Sequence, residues 1–460
     1  VQRSWSSSRD LHLGWDPGTG RAGLAEALRS AIRGGRLPEG AALPSTRALA
    51  ADFGVARGTV AAAYDQLAAE GYLRTRQGAP TRVAMTAGLQ MSAPAVVPEA
   101  AARWNLLPCQ PDVSSFPRQA WLTTAKTVLQ TAPPQVFGYP EYGGLAPLRD
   151  ALARYLARSR GVVADPERVV VCGGFSHAIA LLATVLHTRG DRELAFEDPS
   201  LAKFRDIAAA AGQRIVGVPV DDDGIRVSAV DSSAVVVTAA HQYPMGVTLS
   251  SGRRTELIRW AQRTGGLVIE DDYDGEFRFD RRQVGAVQPL ATERVIYVGT
   301  ASKSLGPGLR LGWLVLPRAL VEPVRSALYA DGARPAALDQ LILADLLDSG
   351  AYDQHVRRRR AAYRSRRDRL LVRLPGWLRP MGISAGLHLL LRLPDGRPDE
   401  RTVLAALRRH SVALEGLGRH WIGDGPHPGG LVVGYGAPPE HAFNATVDAL
   451  VEALDDVRPA

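Results

Sequence analysis

The sequence predicts an α/β protein in three parts: an N-terminal helix-turn-helix with a hairpin wing, a larger domain on a mainly parallel sheet, and a small C-terminal α+β portion. Three observations predict this. Residues 20–83 show helical periodicity that ends in a short hairpin pattern. From about residue 103, short β-branched runs alternate with amphipathic stretches, the signature of strands covered by helices on both faces. After about residue 318, long helical segments give way to a mixed segment from 380 onward.

In the first part, Leu24, Leu28 and Ile32 recur at helical spacing over Gly23–Arg33, and Gly34-Gly35 ends the run. Ser45 stands as an N-cap before Thr46–Phe53, Gly54 breaks the chain, and Ala56–Glu70 forms a further helix. Gly71–Arg76, the turn Gln77-Gly78-Ala79-Pro80 and Thr81–Val83 read as strand, turn and strand. Residues 84–102, rich in Ala, Pro, Met and Ser, read as a linker. The expected domains are therefore 20–83 and 103–455, the latter with a small subdomain at about 380–455. Strand candidates in the large domain are Arg168–Val171, Glu193–Phe196, Arg214–Val218, Ala234–Thr238, Gly266–Glu270 and Arg294–Val298. Phe175–Leu186 and Arg254–Arg263 are helices between them, and Tyr352–Leu374 is a long later one. Functional groups are expected at the carboxyl ends of the strands.

Composition narrows the function classes. The chain of 460 residues has a formal net charge of +8, which favours an acidic partner such as nucleic acid. Residues 1–83 hold 11 arginines against 7 acidic residues, half of that excess in under a fifth of the length. No run of about eighteen uncharged apolar residues occurs, and Val1–Trp5 has no apolar signal core, so a cytoplasmic protein is expected. Cys109 and Cys172 are the two cysteines, with neither a disulfide framework nor metal-ligand spacing. Lysine is confined to Lys126, Lys203 and Lys303, so any lysine-dependent chemistry has three candidates.

Leu43-Pro44-Ser45-Thr46-Arg47-Ala48-Leu49-Ala50 is followed by Gly54-Val55-Ala56-Arg57-Gly58-Thr59-Val60. Leu49, Val60, Tyr64 and Leu67 would hold the helix crossing. Ser45, Arg47, Arg57 and Thr59 sit at helix starts, where side chains and free backbone N–H groups meet phosphates. A bare helix-turn-helix is also compatible with a protein-interaction module whose arginines are merely solvated. The hairpin and the Leu-Pro-Ser-x-Arg run favour DNA, and the segment resembles the winged helix of the GntR family. The resemblance implies double-stranded promoter DNA as partner, with Arg57, Gly58 and Thr59 reading bases and Arg74, Arg76 and Arg82 on the wing contacting the backbone. Ala56 departs from the hydroxyl residue usual there, which removes a cap.

The strongest signal is Thr300-Ala301-Ser302-Lys303-Ser304-Leu305-Gly306-Pro307-Gly308-Leu309-Arg310 after a predicted strand. Lys303 offers an amine for a Schiff base, and Thr300, Ser302 and Arg310 offer contacts for a dianionic phosphate. In Glu270-Asp271-Asp272-Tyr273-Asp274, Asp271 and Tyr273 are two residues apart and point the same way on an extended segment. Read alone, that acidic group is also compatible with a solvated strand end. Alternation argues against one metal cage, and no metal is expected. Cys172-Gly173-Gly174-Phe175-Ser176-His177 joins a strand to a helix and would form an anion site at Gly174, Phe175 and Ser176.

Together these elements resemble the fold type I pyridoxal 5'-phosphate (PLP) proteins of the aspartate-aminotransferase type. The order of winged helix, linker and aminotransferase-like domain resembles the MocR/GabR regulators over residues 20–455. The resemblance implies PLP as cofactor, Lys303 as the Schiff-base lysine, Asp271 at the pyridine nitrogen, Tyr273 at the ring oxygen and Arg310 on the phosphate. His241, in His241–Gly246, falls in the segment that lies along the ring. It also implies a head-to-tail homodimer, a small-molecule effector (PLP or an amino compound), and regulation of transcription. The alternative is an aminotransferase with an accessory DNA-binding module.

Two departures weigh against turnover. Leu201, after Glu197-Asp198-Pro199-Ser200, replaces an aromatic that would stack on the ring. The strand Leu431–Tyr435 lacks the arginine that clamps a substrate carboxylate, and Arg419 is the nearest substitute in sequence. The arginine run Arg357–Arg360, with Arg364, Arg366 and Arg367, reads as a solvated helix face.

Overall fold

Ser45 and Gly54 delimit the second helix of the first unit as their chemistry requires. The Ser45 Oγ accepts from the Ala48 N–H at 3.1 Å, and Gly54 ends the helix at φ +65°, a left-handed conformation suited to glycine. The computed structural model describes residues 13, 15–76, 79–84, 102–139, 141–280, 284–396, 398–423 and 425–459. The chain divides into two compact units, Val1–Glu99 and Ala100–Ala460. Of the expected linker, residues 85–101 lie outside the described residues, as does the wing turn at Gln77 and Gly78.

The first unit packs three helices, α1 (Gly20–Arg33), α2 (Thr46–Phe53) and α3 (Arg57–Ala69), against a two-stranded antiparallel wing, β1 (Leu73–Arg74) and β2 (Arg82–Val83). Leu24, Leu28, Leu49, Val60, Tyr64 and Leu67 fill one core, and the Tyr64 hydroxyl donates to the Pro44 carbonyl at 3.0 Å. On the wing Leu73 and Val83 face that core while Arg74 and Arg82 face outward, the period-two alternation of a half-buried hairpin.

The second unit begins with β3 (Trp104–Asn105), α4 (Arg118–Thr131) and α5 (Ala146–Arg160). Its main sheet contains β4 (Val169–Cys172), β5 (Glu193–Asp198), β6 (Arg214–Asp221), β7 (Gly224–Ile225), β8 (Ala234–Val237), β9 (Leu267–Asp272), β10 (Val295–Thr300) and β11 (Gly312–Val315). The strand order is β4-β11-β10-β9-β8-β5-β6-β7. β10, β9, β8, β5 and β6 are mutually parallel; β11 runs antiparallel between β4 and β10, and β7 is an antiparallel edge. All six strand candidates are present. β11, in the stretch Gly312–Val315, was not among them.

The crossovers are α6 (Phe175–Thr188), α7 (Ala202–Ala210) and α8 (Ser251–Thr264). Val170, Val236, Ile269, Val298 and Leu314 join one apolar cluster. Val169 and Tyr297 join a second, and Val235 and Val268 a third. Both faces of the sheet are therefore dry, and its strands read as continuous apolar runs.

The remainder comprises α9 (Val321–Asp331), α10 (Ala337–Asp348) and α11 (Ala351–Arg373), then β12 (Arg379–Met381), β13 (His388–Arg392), α12 (Glu400–Arg409), β14 (Val412–Ala413), β15 (Glu415–Gly416), β16 (Gly430–Gly434) and α13 (Phe443–Asp455). β12-β13-β16-β15 form a small antiparallel sheet, and β14 pairs with β3. α11 is not a solvated face. Arg366 is fully buried and bonds Asp112 and Glu440, Arg359 faces Asp112, and Arg360 donates to the Glu276 carbonyl at 2.7 Å. No described helix is long and apolar enough to cross a membrane.

Candidate DNA-binding face and cofactor cleft

The starts of α2 and α3 meet, because Arg57 Nε lies 3.4 Å from Thr46 Oγ1. Ser45, Arg47, Arg57 and Gly58 are exposed there and Thr59 is half-buried. Space is open around Gly58 where a side chain would stand. Ala56 caps α3 with no side-chain hydrogen bond, as the substitution implies. On the wing, Arg74, Arg76 and Arg82 are exposed, and Arg82 also donates to the Gly40 carbonyl at 2.7 Å.

In the second unit the strand registers converge on one place. Thr300 pairs with Gly312, and Gly312 with Cys172, so the carboxyl ends of β4 and β10 lie side by side. A cleft of about 330 Å³ opens there. Gly174, Phe175, Ser176, Asp271, Tyr273, Thr300, Ser302, Lys303 and Arg310 all line it. His241 does not. It sits behind Tyr273, whose hydroxyl donates to the His241 carbonyl at 3.1 Å and lies 3.2 Å from its Nδ1.

The anion end of the cleft is built from backbone and hydroxyls. Gly174 precedes α6 at φ +87°, a conformation suited to glycine. A Cβ on Gly312 would strike the Gly174 backbone at 2.6 Å, so the two strand ends close only on glycine. Thr300 Oγ1 and Ser302 Oγ are 2.8 Å apart. Arg310 is held left-handed at φ +53°, its guanidinium 3.4 Å from where a Gly173 Cβ would stand. Free N–H groups of a helix start, two hydroxyls and a guanidinium make a site for a doubly charged oxyanion.

The acidic run divides its work. Asp272 binds Arg160 and the Tyr297 hydroxyl. Glu270 accepts from the Val287 and Gln288 N–H groups, and burial pushes its carboxyl up to about 7. Asp274 takes His241 Nδ1 at 2.8 Å, and Glu276 takes Tyr352 at 3.1 Å. Of the five acidic side chains, Asp271 alone lines the cleft. Its Oδ1 is buried with no hydrogen-bond partner among the described residues. Burial drives this carboxyl well above the usual range, against the pull of Lys303.

Other cleft residues were not singled out from sequence: Cys109, Gln110, Glu197, Thr238, Tyr243 and Phe204. Glu197 accepts from the Thr238 N–H at 3.0 Å, and burial lifts its carboxyl to about 7. Glu197 and Tyr243 lie inside motifs the sequence displays; Cys109 and Gln110 carry no local signal.

Comparison with known proteins decides the affiliation. The profile of the bacterial regulatory proteins of the gntR family matches residues 21–83, and that of aminotransferase class I and II matches residues 110–395. The probable rhizopine catabolism regulatory protein MocR of Rhizobium meliloti is 32% identical, over 94% of this chain and 93% of its own. The chain belongs to the MocR family of transcriptional regulators. Within that family the HTH-type pyridoxine biosynthesis transcriptional regulator PdxR of Corynebacterium glutamicum is also 32% identical, over 94% of this chain and 95% of its own. The second unit of this MocR-family chain has the fold type I aminotransferase architecture. An archaeal alanine:glyoxylate aminotransferase superposes with a TM-score of 0.69 at 25% identity, covering 77% of this chain and 91% of that one. A multiple substrate aminotransferase from Thermococcus profundus gives 0.70 at 22% identity, covering 80% and 96%. The GntR-type winged helix implies DNA binding.

The MocR-family cleft has the donor set a PLP group requires: one lysine amine, one unpartnered buried carboxylate, one phenol and one oxyanion cradle. It departs from an aminotransferase cleft on the substrate side. Leu201 lines it in the ring-stacking position. Arg419 is paired to Glu415 at 3.0 Å and is absent from the lining, so it is not a substitute clamp. Val432, Leu390 and Leu417 instead pack an apolar wall behind Tyr243 and Tyr273. The cations lining the cleft are Lys203, Lys303 and Arg310.

Proposed function

We propose that this chain is a PLP-binding regulator of the MocR family whose cleft senses PLP itself or an amino compound and whose winged helix binds promoter DNA. The observation that carries the reading is the buried, unpartnered Asp271 Oδ1 in the same cleft as Lys303 and the oxyanion cradle. An isolated carboxylate in a dry site is costly, and a protonated ring nitrogen offsets that cost. When bound, PLP supplies an aldehyde for the Lys303 amine and an electron-withdrawing ring. Thr300, Ser302, Arg310 and the start of α6 hold its phosphate, and Tyr273 faces its ring oxygen. His241 acts from behind Tyr273. The DNA contacts are Ser45, Arg47, Arg57, Gly58, Thr59, Arg74, Arg76 and Arg82. The assembly is a homodimer, and effector binding biases it between two DNA-binding geometries.

The names of relatives set the effector choice. The Corynebacterium protein is named for pyridoxine biosynthesis and the Rhizobium one for rhizopine catabolism. The apolar wall in place of a carboxylate clamp favours sensing over turnover. The deciding experiment is a gel shift on the chain's own upstream DNA with and without PLP, using wild type, Lys303→Ala and Arg57→Ala. PLP should change the wild-type shift, leave Lys303→Ala unchanged, and find no shift to change in Arg57→Ala. A wild type that remains colourless with added PLP would overturn the reading. Rapid keto-acid formation from amino acids would favour the aminotransferase alternative.

A further inference from the structure

Three buried side chains lie beyond Tyr273, outside the cleft lining. His241, Asp274 and His388 are exposed by 2%, 3% and 1%, and their ring or carboxylate atoms come within 4.8 Å of one another. Asp274 Oδ2 lies 2.8 Å from His241 Nδ1, and the same nitrogen lies 3.2 Å from the Tyr273 hydroxyl. The His388 ring packs 4.9 Å from the centroids of both His241 and Tyr243. Gly386 closes the cluster from behind, because a Cβ there would meet His241 Cε1 at 2.4 Å and Asp274 Oδ2 at 2.5 Å. The tight packing reads as a built hydrogen-bond relay.

A carboxylate only accepts, so the proton on His241 Nδ1 points to Asp274, and that nitrogen has no lone pair to offer Tyr273. The phenol oxygen is left to take a share of the same N–H, while its own proton goes to the His241 carbonyl or into the cleft. We propose that Asp274, acting through His241, is a positioning residue that keeps Tyr273 a hydrogen-bond donor to the group bound at Lys303. The inference rests on the reading that this cleft takes PLP. Without the Asp274 acceptor, His241 can carry its proton on Nε2 instead. Its Nδ1 then accepts from Tyr273 and draws the phenol proton out of the cleft. The ring oxygen loses a donor, its anionic form is less stable, and the proton shared with the Lys303 nitrogen is held more tightly. The titratable groups facing Tyr273 are Asp274, Cys109, Asp271 and Tyr243; His388 faces His241, His420 and Lys303.

The test is the pH titration of the visible band of PLP-loaded full-length protein, from pH 5 to 9. Tyr273→Phe should raise the midpoint by about one pH unit, and Asp274→Leu should raise it in the same direction. Asp274→Asn, which keeps an acceptor oxygen, should lie nearer wild type. If Asp274→Leu does not fold, His241→Phe, which keeps a ring against His388, carries the same expectation. A Tyr273→Phe shift with Asp274→Leu and His241→Phe titrating as wild type overturns the relay and leaves the cofactor reading intact. A wild type that never colours overturns both. One divalent metal retained per chain, and lost in His388→Ala, would also overturn the relay, because a metal on Nδ1 displaces its proton.

Discussion

Arg366 Nη2 donates to Asp112 Oδ2 at 2.8 Å, joining residues 254 positions apart with the arginine side chain wholly buried and the aspartate 3% exposed. Burial works against the Asp112 carboxylate, and its bonds to Ser114 and Arg366 outweigh that cost, leaving it below the usual range. Removing the cation strands the anion. Arg366→Met should lower unfolding free energy by about 3–5 kcal/mol in urea melts. Arg358→Ala, on the exposed side of the same helix, should change it by less than about 0.5 kcal/mol.

Glu197 sets a pH dependence of opposite sign. Burial raises its folded value to about 7 from 4.5, so the folded state holds the proton after the unfolded chain has released it. The stabilisation is complete below pH 4.5 and is lost as pH rises through 7. Glu197→Gln should flatten the fall in melting temperature between pH 5 and 8, by roughly 1–3 kcal/mol equivalent. Glu270, shifted the same way, leaves a residual slope. A variant with the full wild-type slope would assign the dependence elsewhere.

Asp271→Asn separates cofactor affinity from fold stability. The substitution removes a buried carboxylate that lacks a partner on Oδ1, so the PLP-free protein should melt at or above the wild-type temperature. Affinity for PLP, followed by absorbance, should fall at least about tenfold, the loss of one charged hydrogen bond. A destabilised PLP-free protein with unchanged affinity would contradict the assignment.

Ala56 leaves the start of α3 uncapped. Ala56→Ser should stabilise the winged helix by about 0.5–2 kcal/mol and strengthen DNA binding. Arg57→Ala should weaken DNA binding and reduce the slope of affinity against salt by about one phosphate contact. Fluorescence-polarisation titrations at several salt concentrations check both.

What sequence made legible was local. Ser45 and Gly54 state the bounds of α2 by their own conformational preferences, and Lys303, Asp271 and Tyr273 sit on or next to strands whose alternation fixes their direction. His241 follows β8 in an irregular stretch where no period says which way a side chain faces, and it proves to lie behind Tyr273. β11 needed long-range knowledge, since Gly312–Val315 becomes a strand by inserting antiparallel between β4 and β10. The burial of Arg366 was equally hidden: a run of like charges on a helix reads as solvated until a distant Asp112 is placed beside it.

The scarcity of lysine turns the cleft into its own reporter. Lys203 and Lys303 line it, while Lys126 stands exposed on α4. An amine-directed label read by peptide mass spectrometry therefore measures cleft occupancy peptide by peptide, with Lys126 as the internal standard. Reductive trapping should place its mass increment on the fragment containing Lys303 and on neither of the others.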